Sequence, residues 1–394
     1  MNALLSPTHR FWLLLALCAI GFALLYAVVH DAGRGARRRA LRRRIEALGA
    51  PADDTGEAAL DALKEDMAQT QQATRRTPWR RTAAPVPWFL FFGDAAANLL
   101  GLFATAHGER AHAYERAHER AHEHAPEHPH APDSESASEA WWWRWWLTGA
   151  TVAIEVHPDA VGDAAATPTQ RSLWLQSLLA LAQRRERLPL NGLVACVGAS
   201  ELLHADATEL MPLAARMRHA LDEASDTLRL QLPTYLVVTG LEQLAGYATL
   251  RGALPPEVLA QVLGHRLTDP SPVIDTPAGE RFDAVFDPIA RQLHGLRMAL
   301  LREQAGPSGR LAIHEFVEAV RALQPALRAF AQVLFEGHGK SRRAPRWRGL
   351  YLTASASQAT GGAFVGDLFE RFLPVDQPLV RPGRPASNTT AGAP

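Results

Sequence analysis

The sequence predicts an α/β protein: a doubly wound, parallel sheet with an appended α-helical domain, preceded by a single transmembrane helix. Three observations carry this reading. Short apolar runs without strict alternation recur between amphipathic stretches, the pattern of a sheet covered on both faces. One of them, Val86-Pro-Trp-Phe-Leu-Phe-Phe, runs into Gly93 and then into a helix-favouring segment. Ahead of both lies Phe11–Val29, nineteen residues without a charge.

That first segment follows a short N-terminus, residues 1–10. At 1.5 Å per residue it spans about 28 Å, close to a hydrocarbon core. Arg34, Arg37, Arg38, Arg39, Arg42, Arg43 and Arg44 follow it, whereas only His9 and Arg10 precede it. The positive-inside rule places the N-terminus in the periplasm and the bulk in the cytoplasm, a single pass of the inner membrane. A cleaved signal would have a shorter apolar region and small residues after it. Residues 30–85 read as basic juxtamembrane helices and a linker. Leu41, Ile45 and Leu48 share one stripe of the first helix, which reads as a solvated continuation of the membrane helix or as a contact with anionic headgroups. Leu60, Leu63 and Met67 mark a second helix over 57–72.

Residues 86–268 carry the α/β pattern. Strands are expected at 86–92, 151–156, 192–197 and 235–239, with a last one at 349–353. Helices are expected at 95–106, 170–185, 207–228 and 241–247. Such alternation argues for a parallel sheet. An insert at 106–140 interrupts it, with a repeated Glu-Arg-Ala-His and seven of the sixteen histidines between His107 and His130. His118 and His122 are spaced i, i+4 and are weak metal candidates. No cysteine or carboxylate pattern supports them, so a low-complexity polar insert is preferred. In the tryptophan run that follows, Trp145 and Trp146 read as core. Trp141, Trp142 and Trp143 read as partly exposed and as a partner-binding surface. Residues 269–373 hold two long amphipathic helices, and 374–394 read as a disordered tail.

The chemistry-bearing stretch is the turn after Val86–Phe92. A phosphate loop reads G-x-x-x-x-G-K-[ST]. Counting from Gly93, the second glycine is Asn98, the lysine is Leu99 and the hydroxyl residue is Leu100. The scaffold is P-loop-NTPase-like and the phosphate chemistry is absent. Ala95–Ala97 favour a helix start over a cradle of inward N–H groups. Leu99 brings no ammonium, and Leu100 no magnesium ligand. Both are expected to fill the space of a nucleotide. The formal charge of zero excludes a global field for nucleic acid. Cys18 and Cys196 are far apart and predict no disulfide framework. Ser200, Glu201 and His204 lie near a strand end without a nucleophile elbow, and Ser200 reads as a helix N-cap.

Five segments in order resemble the N-terminal cytoplasmic half of the IcmF/TssM family, an inner-membrane core component of type VI secretion systems. They are Pro87-Trp-Phe-Leu-Phe-Phe-Gly, Trp145-Trp-Leu-Thr-Gly-Ala-Thr-Val-Ala-Ile-Glu, Leu188-Pro-Leu-Asn-Gly-Leu, Tyr235-Leu-Val-Val-Thr-Gly-Leu-Glu, and Arg348-Gly-Leu-Tyr-Leu-Thr-Ala-Ser. By this resemblance the aspartate of the family's D-T-A-G turn falls on Glu155 and its glycine on Pro158. The T-K-L-D that reads a base falls on Thr239, Gly240, Leu241 and Glu242, so its lysine is missing. The resemblance therefore implies a truncated relative with a degenerate nucleotide site. The expected function is a non-enzymatic scaffold or accessory component of type VI secretion, without cofactor or small-molecule substrate. Its expected partners are other type VI secretion inner-membrane and baseplate proteins. The competing reading is a divergent nucleotide-binding switch of the same family.

Overall fold

The computed structural model describes residues 7–48, 54–76, 85–106, 109–110, 142–158, 167–204, 207–268, 276–304, 306–336, 345–356 and 361–382. His118, His122 and Trp141 lie outside them, as do most of the histidine-rich insert and residues 383–394.

Two helices lead the chain, α1 (Pro7–Leu48) and α2 (Asp54–Arg76). The first strand, β1 (Trp88–Phe92), is followed by a 3₁₀ turn (Ala95–Ala97) and the short α3 (Leu99–Thr105). Then come the two-residue β2 (Glu109–Arg110), β3 (Trp143–Thr148) and β4 (Thr151–Val156). Helix α4 (Pro168–Arg184) leads to β5 (Gly192–Gly198), α5 (Ala199–His204) and α6 (Ala207–Leu228). Next are β6 (Leu230–Gln231), β7 (Pro233–Thr239), α7 (Tyr247–Gly252), α8 (Pro256–Ala260) and β8 (Leu263–Arg266). The last elements are α9 (Ala278–Glu303), α10 (Pro307–Ala322), α11 (Gln324–Phe335), β9 (Arg346–Leu352) and the two-residue β10 (Arg381–Pro382).

The main sheet runs β2-β3-β4-β1-β5-β7-β9-β8. Its centre, β4-β1-β5-β7-β9, is parallel throughout. β3 and β8 add antiparallel edges. Taken in chain order the parallel strands lie 2-1-3-4-5, a doubly wound order whose connections switch sides at β1. The parallel α/β expectation is therefore met, and the sheet is mixed only at its edges.

Alternate side chains feed two cores, as a pleat buried on both faces requires. Trp88, Leu90 and Phe92 point into the larger one, with α4, α6 and the helices of 278–335. Those last helices share this core with the sheet and do not form a separate layer of their own. Phe89 and Phe91 point the other way, onto Leu102 and Phe103 of α3 and onto Leu368 and Phe369. With only seven residues, α3 cannot cover that face, and the chain after β9 completes it. Phe369 stacks on Phe91 at 5.7 Å.

The segment after Leu373 is ordered through Pro382, contrary to the expectation of a disordered tail. Asp376, 2% exposed, is the reason. Arg348 grips it bidentately, Nε to Oδ2 at 2.8 Å and Nη2 to Oδ1 at 3.0 Å. Tyr235 donates to Oδ2 at 2.8 Å, and Arg266 stands 3.5 Å from Oδ1. Burial, reinforced by this carboxylate, pushes the Tyr235 phenol well above its ordinary range.

Helix α1 also departs from expectation. One stripe of its second half is packed, with Leu41 1% exposed in the larger core, while Arg39, Arg42 and Arg43 stay exposed. Arg38 pairs with Glu186 at 2.6 Å. Arg44 reaches Thr227 at 3.2 Å and approaches the buried Glu223, which Arg171 also binds at 2.8 Å. α2 returns over β3 with Leu63 and Met67 buried. Along the first half, every residue from Phe11 to Phe22 is exposed. Side chains 23–34 lie outside the described set, and among the described residues no helix is long and apolar enough to cross a membrane.

Candidate functional site

In an open parallel sheet, ligands bind beyond the carboxyl ends of the strands at the switch point. In the order 2-1-3-4-5 that point lies between β1 and β5, and the turn after Gly93 stands there against the end of β5. Beside it, beyond the ends of β1 and β4, lies a cavity of about 180 Å³ lined by Gly93, Asp94, Asn98, Leu99, Glu155 and Pro158 among others. Six of the eight degenerate nucleotide-site positions, Leu100 among them, thus converge on one pocket.

The turn is built by its own side chains. The carboxylate of Asp94 accepts from Ala97 N at 3.0 Å and caps the 3₁₀ turn Ala95–Ala97. Asn98 then adopts φ 42°, ψ 55°, a left-handed conformation that asparagine tolerates. Its Oδ1 accepts from Gly101 N at 3.1 Å and caps α3. Two of the turn's N–H groups, those of Ala97 and Gly101, are therefore spent on Asp94 and Asn98. Leu99 is buried beneath the turn, against Gly93. Leu100 lines the crevice but stays 46% exposed, so it fills that space only in part.

The crevice is acidic. Asp94 and Glu155 line it, and among the described residues no lysine or arginine does. Glu155 is buried and its Oε2 accepts from Trp146 Nε1 at 2.9 Å. Trp146 stacks on Phe103 of α3, with centroids 5.3 Å apart. On the β5 side, Glu201 accepts from Gly198 N at 3.4 Å. Burial, then the neighbouring Asp94, raises the Glu201 carboxyl to about 8. Burial also pushes the Cys196 thiol far up, with a further contribution from Asp94, so the cysteine is inert. Ser200 lies inside α5, not at its cap, because the helix begins at Ala199.

The remaining positions lie one strand further along. Gly240 takes φ 82° after β7. Glu242, where the resemblance places a base-reading aspartate, accepts from Ser355 N at 2.8 Å. Burial raises its carboxyl against that backbone bond. It is thus engaged by its own chain.

The tryptophan surface is not a surface. Trp142 and Trp143 are 9% and 3% exposed. Trp143 meets Trp174 of α4 edge to face at 5.6 Å, and α2 covers β3. The alternation of a strand pairing with β4 could have put Trp143 and Trp145 on one buried face; the covering by α2 was not readable locally. Among the described residues no cluster of His, Cys, Asp or Glu suits a metal ion.

Residues 168–363 match the model of the IcmF-related N-terminal domain. The chain is also 24% identical, over 217 residues, to "Type VI secretion system component TssM1" of Pseudomonas aeruginosa. That match covers 55% of this chain and 20% of the relative, so the chain spans about a fifth of that protein's length. No solved structure matches. Together the two matches support an IcmF/TssM-family N-terminal fragment, and residues 168–363 belong to that family's N-terminal domain.

Proposed function

We propose that this chain is a non-enzymatic scaffold of a type VI secretion system, whose α/β unit keeps the frame of a nucleotide-binding domain as a protein-binding platform. The observation that carries the proposal is the crevice beyond the ends of β1 and β4: among the described residues two carboxylates and no cation line it, and the N–H groups of Ala97 and Gly101 are spent on Asp94 and Asn98. A triphosphate brings about four negative charges and needs a lysine, a magnesium ion and several N–H groups to hold them. At about 180 Å³ the cavity is also below the roughly 300–1,000 Å³ of small-molecule sites.

Anchoring belongs to the same reading. The helix Pro7–Leu48 is apolar on all sides from Phe11 to Phe22, and the sequence continues so to Val29. Such a helix is stable in lipid. The arginines after it set the bulk of the chain in the cytoplasm. The partners are other inner-membrane and baseplate components of the secretion machine.

Isothermal titration of the detergent-solubilised chain with Mg-ATP and Mg-GTP tests the site. No heat of binding at micromolar concentration is expected. Micromolar affinity for either overturns the reading in favour of a divergent switch. Affinity isolation from native membranes tests the role, and a preparation free of secretion components sinks it.

A further inference from the structure

We propose that the amino ends of the parallel strands form a basic surface that docks on anionic phospholipid headgroups, so that the crevice at the carboxyl ends faces away from the bilayer. This rests on the anchoring reading above, and adds to it an orientation and a lipid contact. The direction of α1 carries it. α1 packs on α4. Arg38 pairs at 2.6 Å with Glu186, just beyond the last turn of α4. Further along, Arg44 stands 3.8 Å from Glu223, the carboxylate that Arg171 holds from the first turn of α4. α1 therefore runs from the end of α4 toward its start, and its apolar part, residues 11–29, projects on the side where α4 ends. That side is the amino end of β1 and β5. Arg185 donates to the carbonyl of Val86 at 3.2 Å, and Asn191 N to that of Trp88 at 2.7 Å.

The gap to be bridged is short. The helix is unbroken from Pro7 to Leu48. Between Val29 and Arg38 it advances about 14 Å. The headgroup layer takes up about 5–7 Å of that. The remainder is within a Debye length, about 8 Å at physiological salt. The side chains at this end are basic. Arg184, Arg187 and Arg381 are exposed, the last where β10 pairs with β6 ahead of β7. Arg184 spends its Nε on the neutral Gln71 at 2.6 Å, which ties the end of α2 to the same place. The exposed acids here are Glu186, taken by Arg38, Asp226, beside Arg229, and Glu370, near the turn after β3. With Arg38 and Arg229 set against the first two, one acid faces three arginines. At the opposite end Asp94 and Glu155 line the crevice, the wrong charge for the same surface.

Headgroup quenching of the full chain in nanodiscs tests it. A fluorophore is placed on Gln183→Cys, exposed in the last turn of α4, or on His204→Cys, exposed at the end of α5 beyond the carboxyl end of β5. Cys18→Ser removes the exposed thiol, and the buried Cys196 takes no label. In phosphatidylglycerol-rich discs carrying a headgroup nitroxide, the label at 183 should be quenched and the label at 204 should not. Discs of phosphatidylcholine alone should abolish the quenching. An anionic surface favours each nearby arginine about fivefold, so Arg184→Gln with Arg187→Gln should lower the ratio of docked to free chain about 25-fold. Equal quenching at 183 in both lipids overturns the proposal, as does stronger quenching at 204. Discs that retain the chain without quenching at 183 overturn the docking and leave the anchoring standing. A chain that the discs do not retain overturns both.

Discussion

Leu99 stands where a phosphate loop carries its lysine, and its side chain is 5% exposed beneath the turn. Restoring the lysine cannot restore the site. Leu99→Lys would bury an ammonium beside a core of Phe103 and Leu102, and an uncompensated buried charge costs about 3–5 kcal/mol. Urea unfolding should show that loss, with no gain of nucleotide binding. Glu201 makes a pH prediction of opposite interest. Its folded value, about 8, lies above the ordinary 4.5, so the folded chain holds a proton that the unfolded chain releases. Its contribution to stability is thus fully favourable below about 4.5 and declines as pH rises toward 8. Glu201→Gln should leave stability unchanged at acid pH and raise it at pH 9, read as a shift in the denaturant midpoint. At this scale the sequence identified which residues stand at the site. It did not show that Leu100 stays half exposed or that Glu242 is engaged by Ser355, because both depend on a cap or a distant strand.

Among elements, the parallel strands and helix 207–228 were legible because each is a run long enough to carry its own period. Helix α4 begins with a capping box, Thr167 and Gln170 bonding reciprocally, a signal readable in the four residues alone. Other elements were not legible. β8 is short and half-buried, and only its pairing with β9 makes it a strand. The helix expected at 241–247 breaks into a 3₁₀ turn and α7 at Gly246. That glycine takes φ 78° and lies against the carbonyl of Ala312, a contact from α10 that no local window contains. The docking of α1 is of the same kind: its stripe was visible, and its partner was not. Leu41→Asp should undo that docking. A buried carboxylate at that point is costly, so hydrogen exchange over 37–48 should rise while β5 and β7 stay protected. Equal exchange in the native chain and the variant would mean that α1 holds by its ion pairs alone.

For the molecule as a whole, the family match ends at residue 363, but the folded unit does not. The face of the sheet carrying Phe89 and Phe91 is closed by α3 and by Leu368, Phe369 and Leu373. A chain cut after 363 would expose those rings to water. It would also remove Asp376, leaving Arg348, which the carboxylate holds above the usual arginine range despite burial, with only the Leu267 carbonyl. An unpaired buried guanidinium costs about 3–5 kcal/mol, and each large apolar side chain uncovered adds roughly 1.5–3 kcal/mol. Three such side chains and the orphaned arginine together reach the 5–15 kcal/mol that a domain holds in total. A chain ending at 363 should therefore lose its cooperative thermal transition, whereas one ending at 382 should melt like the full chain. Asp376→Ala in the full chain separates the two contributions, because it removes the carboxylate and keeps the rings. Its melting temperature should fall while the transition stays cooperative. If the chain cut at 363 melts as sharply as the full one, the face is closed without the segment, and α3 suffices despite its length.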